Sequence, residues 1–276
     1  MSIPMTDKEV PPLDAPYRIA PGVSDSFLRD GHVLLPSLAT ATEVAAYRPH
    51  ILATSERLRY DTKPLAERDT YGKAFLQYWG LAAEDATVAR FVFAQRFARV
   101  AAELLGIKAV RVYHDQALFK EAGGGRTPLH QDQHYWPIDT PHTLTMWMPL
   151  VPVTAEVGSM TFVSGSNRLG YLGEFDISDR SDAQVRHLIA TRSLTSKTYG
   201  AMSPGDATLH AGWTLHSAPP NPSATVREVM TIIYFAADAR VTAPLPHQQG
   251  DYNLWLKGLA PGSLLDGPTH PVVWTR

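Results

Sequence analysis

The sequence contains no cysteine, which excludes disulfides, thiolate-ligated zinc, iron–sulfur clusters and thiol nucleophiles together. Any metal must therefore be held by nitrogen and oxygen. Runs of lysine or arginine are also missing, and 25 basic against 27 acidic residues leave a formal charge of -2. Phosphate neutralisation needs clustered cations, so a nucleic-acid partner is not expected. No stretch approaches the roughly 18 uninterrupted apolar residues of a membrane span. The opening "MSIPMTDKEVPPLDAPYRIAPG" has neither the basic nor the apolar region of a signal peptide. The expectation is a cytoplasmic protein with no membrane partner. The one sequon-like triplet, Asn221-Pro222-Ser223, carries proline in its middle position, which blocks glycosylation.

What is present is a 276-residue chain with 44% hydrophobic residues, enough for a substantial core. Residues 1–22, with Pro4, Pro11, Pro12, Pro16 and Pro21, read as an extended arm. Residues 23–106 read as a mostly helical buttress. Within it the spacing predicts a helix over 39–57, kinked or broken at Pro49, and another over 85–105, where Val88, Phe91, Ala94, Ala98, Ala101 and Leu105 recur before Gly106. From 107 to 240 the texture is strands: 110–120, 128–136, 143–153, 158–166, 207–218 and 227–238, with a helical insert over 181–191. Residues 241–276 read as a Pro/Gly-rich loop layer. Helices followed by closely spaced strands without βαβ alternation predict a single, mainly β domain: a jelly-roll core with flanking helices.

Two segments carry candidate chemistry. In "PLHQDQHYWP" an extended chain would send His130, Asp132 and His134 to one side. With 11 histidines in the chain this spacing alone is cheap, and a wet sheet face explains it equally well. In "LHAGWTLHSAPPNPSATVR" an unbroken strand would place His210 and His216 on one face, and Arg227 follows at the start of the next apolar strand. Two imidazoles and a carboxylate on one face of an octahedral metal leave three positions open, as in non-haem Fe(II) oxygenases. Those positions suit a bidentate 2-oxo acid and then O2, and a guanidinium suits the distal carboxylate of such an acid.

In these segments the chain resembles the phytanoyl-CoA hydroxylase family of Fe(II)/2-oxoglutarate dioxygenases. "HQDQHYWP" is similar to the family's His-x-Asp segment, "EVGSMTFVSGSN" to its Gly-containing strand and turn, and "LHAGWTLHSAPPN" with Arg227 to its distal histidine and arginine segment. The resemblance implies a double-stranded β-helix (jelly-roll, cupin-like) fold, with His130, Asp132 and His216 as the Fe(II) ligands. It implies Arg227 as the clamp on 2-oxoglutarate, with O2 as second cosubstrate, and points to Gln116, Lys120 and Trp147 as cosubstrate-pocket residues. The reaction it implies is hydroxylation of a small or medium organic molecule, with release of succinate and CO2. Strand phase agrees in part, since Val112, His114, Gln116, Leu118 and Lys120 share one face of a regular strand.

The chain departs from the family pattern in two places. Ala218 stands where a small hydroxyl residue is common, with Ser217 one place earlier, and Asn167 replaces a turn histidine expected to be structural. The carboxylate ligand is intact as Asp132, which favours hydroxylation over halogenation. His134, Tyr135, Trp136, Tyr78 and Trp79 are candidates for a substrate pocket, although isolated aromatics are as readily core. His210 is expected to support the ligands through a hydrogen bond, and His114 and Asp115, adjacent on a strand, to face opposite ways. The sequence alone leaves two alternatives: a cupin-type metal-dependent hydrolase or isomerase, which would not need Arg227, and a non-catalytic jelly-roll binding module, which would not need Asp132. Oligomeric state and substrate are not encoded in these motifs.

Overall fold

The computed structural model describes residues 10–60, 63–155, 157–173 and 177–276. The first nine residues of the proline-rich arm and Glu156 of the "EVGSMTFVSGSN" segment lie outside the described residues. The rest of the arm is anchored: Val10 and Leu13 are buried in the main core, and the Tyr17 hydroxyl donates to the Pro36 carbonyl at 3.1 Å.

The N-terminal third is α1 (Val23–Asp30), β1 (His32–Leu35), α2 (Ala41–Arg57), α3 (Thr70–Ala74), β2 (Leu76–Trp79), α4 (Leu81–Glu84), α5 (Ala86–Val92) and α6 (Gln95–Leu105). Helix α2 starts at a capping box of Thr40 and Glu43 and runs through Pro49 without a break. Pro49 is exposed, while Val44, Tyr47, Ile51 and Thr54 are buried on the opposite side, so packing holds both halves in line. The single helix expected over 85–105 is two, because Ala94 takes an extended ψ of 126° between α5 and α6.

The remainder comprises β3 (Ala109–Lys120), β4 (Thr127–His130), β5 (Thr143–Pro149), β6 (Thr161–Val163), α7 (Asp179–Thr191), β7 (Ser196–Thr198), β8 (Ala207–Ala211), β9 (His216–Ala218), β10 (Arg227–Ala236), α8 (Gln249–Trp255) and β11 (Val272–Thr275). The C-terminal layer is thus more than loops, since it adds a helix and an edge strand. All described pairings are antiparallel and form two sheets. One runs β1-β8-β5-β10-β3-β11, with β2 also on β3; the other runs β4-β9-β6-β7. These two sheets form the double-stranded β-helix, and helices cover the outer face of the larger one.

Side-chain alternation along the larger sheet separates its faces. Leu144, Met146 and Met148 of β5 and Met230, Ile232 and Tyr234 of β10 join α2, α5 and α6 in one apolar core. Thr145, Trp147, Arg227 and Thr231 point the other way, into a cavity between the sheets. Two departures from regular strands shape that cavity. The register of β10 with β3 passes from Ile233↔His114 to Tyr234↔Val112, so Tyr113 is an extra, bulged residue. Val112 therefore joins the helix-side core, whereas His114, Gln116 and Leu118 line the cavity, which corrects the common face expected from simple alternation. The strand expected over 207–218 is also broken. Its halves, β8 and β9, belong to different sheets, joined by a corner at 212–215.

Candidate functional site

His130 ends β4 and His216 begins β9, and the two are direct cross-strand partners in the smaller sheet, with ring centroids 4.2 Å apart. Gln131 continues the extended conformation (φ -118°, ψ 127°) and so returns Asp132 to the same side. Asp132 Oδ1 lies 3.5 Å from Nε2 of both His130 and His216. Among the described residues these three form the one group of histidine and acidic side chains able to hold a metal ion, with donor atoms all within 4.8 Å of one another.

Backbone carbonyls orient both imidazoles. His130 Nδ1 donates to the Pro128 carbonyl at 2.8 Å and His216 Nδ1 to that of Thr214 at 3.0 Å. A carbonyl only accepts, so each Nδ1 carries the proton and each Nε2 keeps a lone pair aimed at Asp132. Burial, followed by the neighbouring His130, pushes His216 well below its ordinary pKa and keeps the ring neutral, as metal ligation requires. Burial opposes the charge on Asp132, but the hydrogen bond donated by His210 favours the ionised carboxylate, whose pKa lies well below the usual range. The other oxygen, Oδ2, accepts from the Thr145 hydroxyl at 2.7 Å and from His210 Nε2 at 3.0 Å. His210 arrives from β8 in the larger sheet and His216 from β9 in the smaller, so the two reach the same carboxylate across the broken strand rather than along one face.

The triad opens into a cavity of about 480 Å³, within the roughly 300–1,000 Å³ usual for small-molecule sites. Arg227 lines it at 3% exposure, with its guanidinium 5.2 Å from the Trp147 ring centroid. Nη1 donates to the Gly158 carbonyl at 3.3 Å, while the buried Nε–H has no partner. Burial lowers its pKa to about 10, which still leaves it charged at neutral pH. A buried cation with an unspent donor, in one cavity with a neutral-imidazole and carboxylate triad, is the donor set that a metal-chelated dicarboxylate requires.

Most other expected pocket residues also reach this cavity. Gln116, Trp147, Ser217, Tyr135, Trp136 and Trp79 line it, and Gln116 accepts from the Gln77 side-chain amide. Three expected residues do not. Lys120 is fully buried beyond the lining, its ammonium bonded to the Gly125 carbonyl and 3.5 Å from the Thr127 hydroxyl. Tyr78 faces the helix-side core, its ring 5.4 Å from that of Phe119. His134 fails for a conformational reason: the chain turns into a 3-10 helix over Asp132–Tyr135, strand phase ends, and the ring stacks on His247 at 3.9 Å beside a separate small cleft.

Several lining residues carried no signal in the motifs. Thr145 shares a face with Trp147 at strand spacing, a clue available in the sequence. Thr127 lies opposite Ala218 in the β4–β9 register and brings a hydroxyl to the place where Ala218 lacks one. Tyr71 and Phe75 come from the segment around α3, and Asp251, Leu254 and Trp255 from α8. Only tertiary folding brings these distant segments over the site.

Comparison with known proteins agrees with this geometry. The family model for phytanoyl-CoA dioxygenase (PhyH) matches residues 27–229. Similar solved structures include the non-heme alpha-ketoglutarate-dependent carbocyclase SnoK from nogalamycin biosynthesis, at TM-score 0.76 and 24% identity, covering 93% of this chain and 97% of that one. The epimerase SnoN, solved with Fe3+, alpha-ketoglutarate and nogalamycin RO, aligns at TM-score 0.71 and 27% identity over 91% of this chain and 97% of that one. EctD from S. alaskensis, solved with 2-oxoglutarate and 5-hydroxyectoine, aligns at TM-score 0.66 and 19% identity over 94% and 92%. No curated protein matches the sequence. Among the described residues no helix is long and apolar enough to cross a membrane. With the family model spanning most of the chain and the His-x-Asp and distal histidine meeting at one point, the chain belongs to the phytanoyl-CoA dioxygenase family of non-haem Fe(II)/2-oxoglutarate-dependent enzymes.

Proposed function

We propose that the protein oxidises an unactivated C–H bond of a small or medium organic molecule, with hydroxylation as the outcome and succinate and CO2 as coproducts. The observation that carries this reading is the pairing of a metal-ready triad with the buried, under-bonded Arg227 in one cavity. When bound, Fe(II) would activate O2, which supplies the oxidising equivalents, and 2-oxoglutarate, in its conversion to succinate and CO2, would give two of the four electrons that O2 takes up. His130 and His216 present neutral nitrogen donors held by backbone carbonyls, and Asp132 presents one oxygen while Thr145 and His210 occupy the other. Arg227 takes the distal carboxylate of the 2-oxo acid, with the Trp147 ring beneath the guanidinium, and Thr127 supplies the hydroxyl that Ala218 lacks. Gln116 and Ser217 complete the polar wall.

Tyr71, Phe75, Trp79, Tyr135, Trp136 and Trp255 give the rest of the cavity an aromatic surface. Such walls position a largely apolar substrate and exclude water from the reacting centre. SnoK and SnoN, a carbocyclase and an epimerase of one biosynthetic route, support a substrate of the natural-product kind.

The test is anaerobic addition of Fe(II) and then 2-oxoglutarate to metal-free protein, following the visible charge-transfer band of the chelated 2-oxo acid. A band that is lost in Asp132→Ala and weakened in Arg227→Ala is the expected result. Succinate release on adding candidate substrates then identifies the reaction. No band, with all three proteins binding iron equally, would overturn the reading; catalysis indifferent to Arg227→Ala would favour a cupin-type hydrolase or isomerase.

A further inference from the structure

One carboxylate in the cavity has no part in the chemistry described so far. Asp251 lies on α8 and faces the cavity together with Leu254 and Trp255. Among the described residues its carboxylate has no side-chain hydrogen bond or ion pair. Burial, reinforced by the charge of Asp132, pushes its carboxyl up to about 7, the behaviour of an acid short of a counter-charge.

Its surroundings are aromatic. One turn further along α8, Trp255 stacks on the His114 ring at 4.6 Å and 18°. Tyr252 and Trp255 pack against the cluster containing Tyr113 and Trp136. His114 is itself an unfinished polar group. It is 9% exposed, lines the cavity and leaves Nδ1 without a partner, and burial lowers its pKa to about 3, so it is neutral and cannot neutralise Asp251.

Charge balance shows what is missing. In the loaded centre, Fe(II) offsets the 2-oxoglutarate dianion and Arg227 offsets Asp132, leaving Asp251 as the uncompensated charge among the lining groups. Aromatic faces beside a carboxylate favour a cation over both a neutral group and an anion.

We infer that the substrate carries a basic, positively charged nitrogen, and that Asp251, with the aromatic surface around Trp255, is the anchor that receives it. His114 Nδ1 is then available to accept a hydrogen bond from the same part of the molecule. The inference rests on the oxygenase reading for the identity of the cavity, but concerns the end of the cavity formed by α8 and fixes the substrate class: an amine-bearing organic molecule rather than an acid or a neutral terpene-like one.

The test uses a matched pair of probes, benzyltrimethylammonium and its uncharged isostere neopentylbenzene. Each is titrated anaerobically into the Fe(II)- and 2-oxoglutarate-loaded protein, with tryptophan fluorescence reporting the probe and the visible chelate band reporting cosubstrate. The expected result is a preference of about tenfold or more for the cation, lost in Asp251→Asn and retained in Asp251→Glu, with the chelate band intact throughout. Equal binding of the two probes, binding of neither, or a preference that survives in Asp251→Asn would overturn the inference. If the band fails to form in the unaltered protein, the oxygenase reading falls, and the same titration of the metal-free protein still decides for or against the cation anchor.

Discussion

The Thr145 hydroxyl donates to Asp132 Oδ2 at 2.7 Å, and this contact leaves Oδ1 as the oxygen turned towards both ligand imidazoles. Together with His210 it holds the carboxylate for one-oxygen ligation. Supporting partners of metal ligands typically contribute about 10–100-fold in metal affinity. Thr145→Val and His210→Phe, each removing one hydrogen bond to Oδ2, should therefore each weaken Fe(II) binding by about tenfold. Competitive metal titration measures both. Unchanged affinities in the two variants would mean that Asp132 needs no support.

Arg227 should act on 2-oxoglutarate and not on iron. Loss of a buried charge-assisted contact predicts about 100-fold weaker 2-oxoglutarate binding in Arg227→Ala, and a point charge cannot reproduce the planar fork in Arg227→Lys. Thr127→Val should cost a smaller factor, about three- to tenfold for one hydrogen bond. Fe(II) affinity measured in parallel should hold steady in all three. An equal loss of iron would place Arg227 among the groups that maintain the triad.

Gly158 links backbone geometry to the same clamp. It has φ +76°, a Cβ added there would lie 2.3 Å from Pro219 Cγ, and its carbonyl accepts from Arg227. Gly158→Ala should destabilise the fold by roughly 1–3 kcal/mol and weaken 2-oxoglutarate binding by displacing that carbonyl. Chemical denaturation together with ligand titration would detect both effects. Normal stability with normal affinity would show that the loop re-forms around the methyl group.

Asp182 ties α7 to the metal-bearing strand. Its buried carboxylate accepts from the Leu129 backbone N–H at 2.9 Å, from Arg126 at 2.8 Å and from Arg186 at 2.7 Å. Burial opposes its ionisation, but Arg186, the Leu129 N–H and Arg126 prevail and lower its pKa. An acid with a depressed folded pKa stabilises the native state above its unfolded value of about 4, and that contribution disappears as pH falls through the folded value. Asp182→Asn should cost roughly 1–3 kcal/mol at neutral pH, and the difference in melting temperature should shrink below about pH 4. A difference constant down to pH ~2 would argue against the ionised carboxylate as its source.

The sequence was most informative where a side chain's role depends on close neighbours along the chain. His130 and Asp132 are spaced for one side of an extended backbone, and Gln131 is indeed extended, so local phase sufficed. The same logic failed two residues later, because the 3-10 turn that carries His134 away holds no Gly or Pro of its own, Pro137 coming only after its end. It also failed for Lys120 and Val112, and an isolated aromatic gave no direction for Tyr78. Val112 lies before a bulge in β3 that only pairing with β10 reveals, whereas Lys120 keeps the phase of Gln116 and Leu118 but its ammonium turns to the Gly125 carbonyl, and Tyr78 follows its β3 partner Ala117 into the helix-side core. Asp251 and Thr127 were illegible for a different reason. Their significance comes from groups far away in the chain, namely the cavity roofed by α8 and the gap left by Ala218.

The bulge at Tyr113 also makes β3 tolerant of a shorter chain at one position, in a way that composition does not reveal. Before it, the strand turns Val110 and Val112 towards the helices; after it, His114 and Gln116 turn towards the cavity. Deleting one residue there would restore a regular strand. Pairing with β10 would then keep both halves in register and facing as they do now, and the loss would be the Tyr113 ring from the cluster it forms with Trp136, Phe235 and His270. A deletion elsewhere in β3 would instead shift part of the strand by one residue against β10 and turn its side chains to the wrong face, so a shortened strand should be tolerated at the bulge and rejected on either side of it.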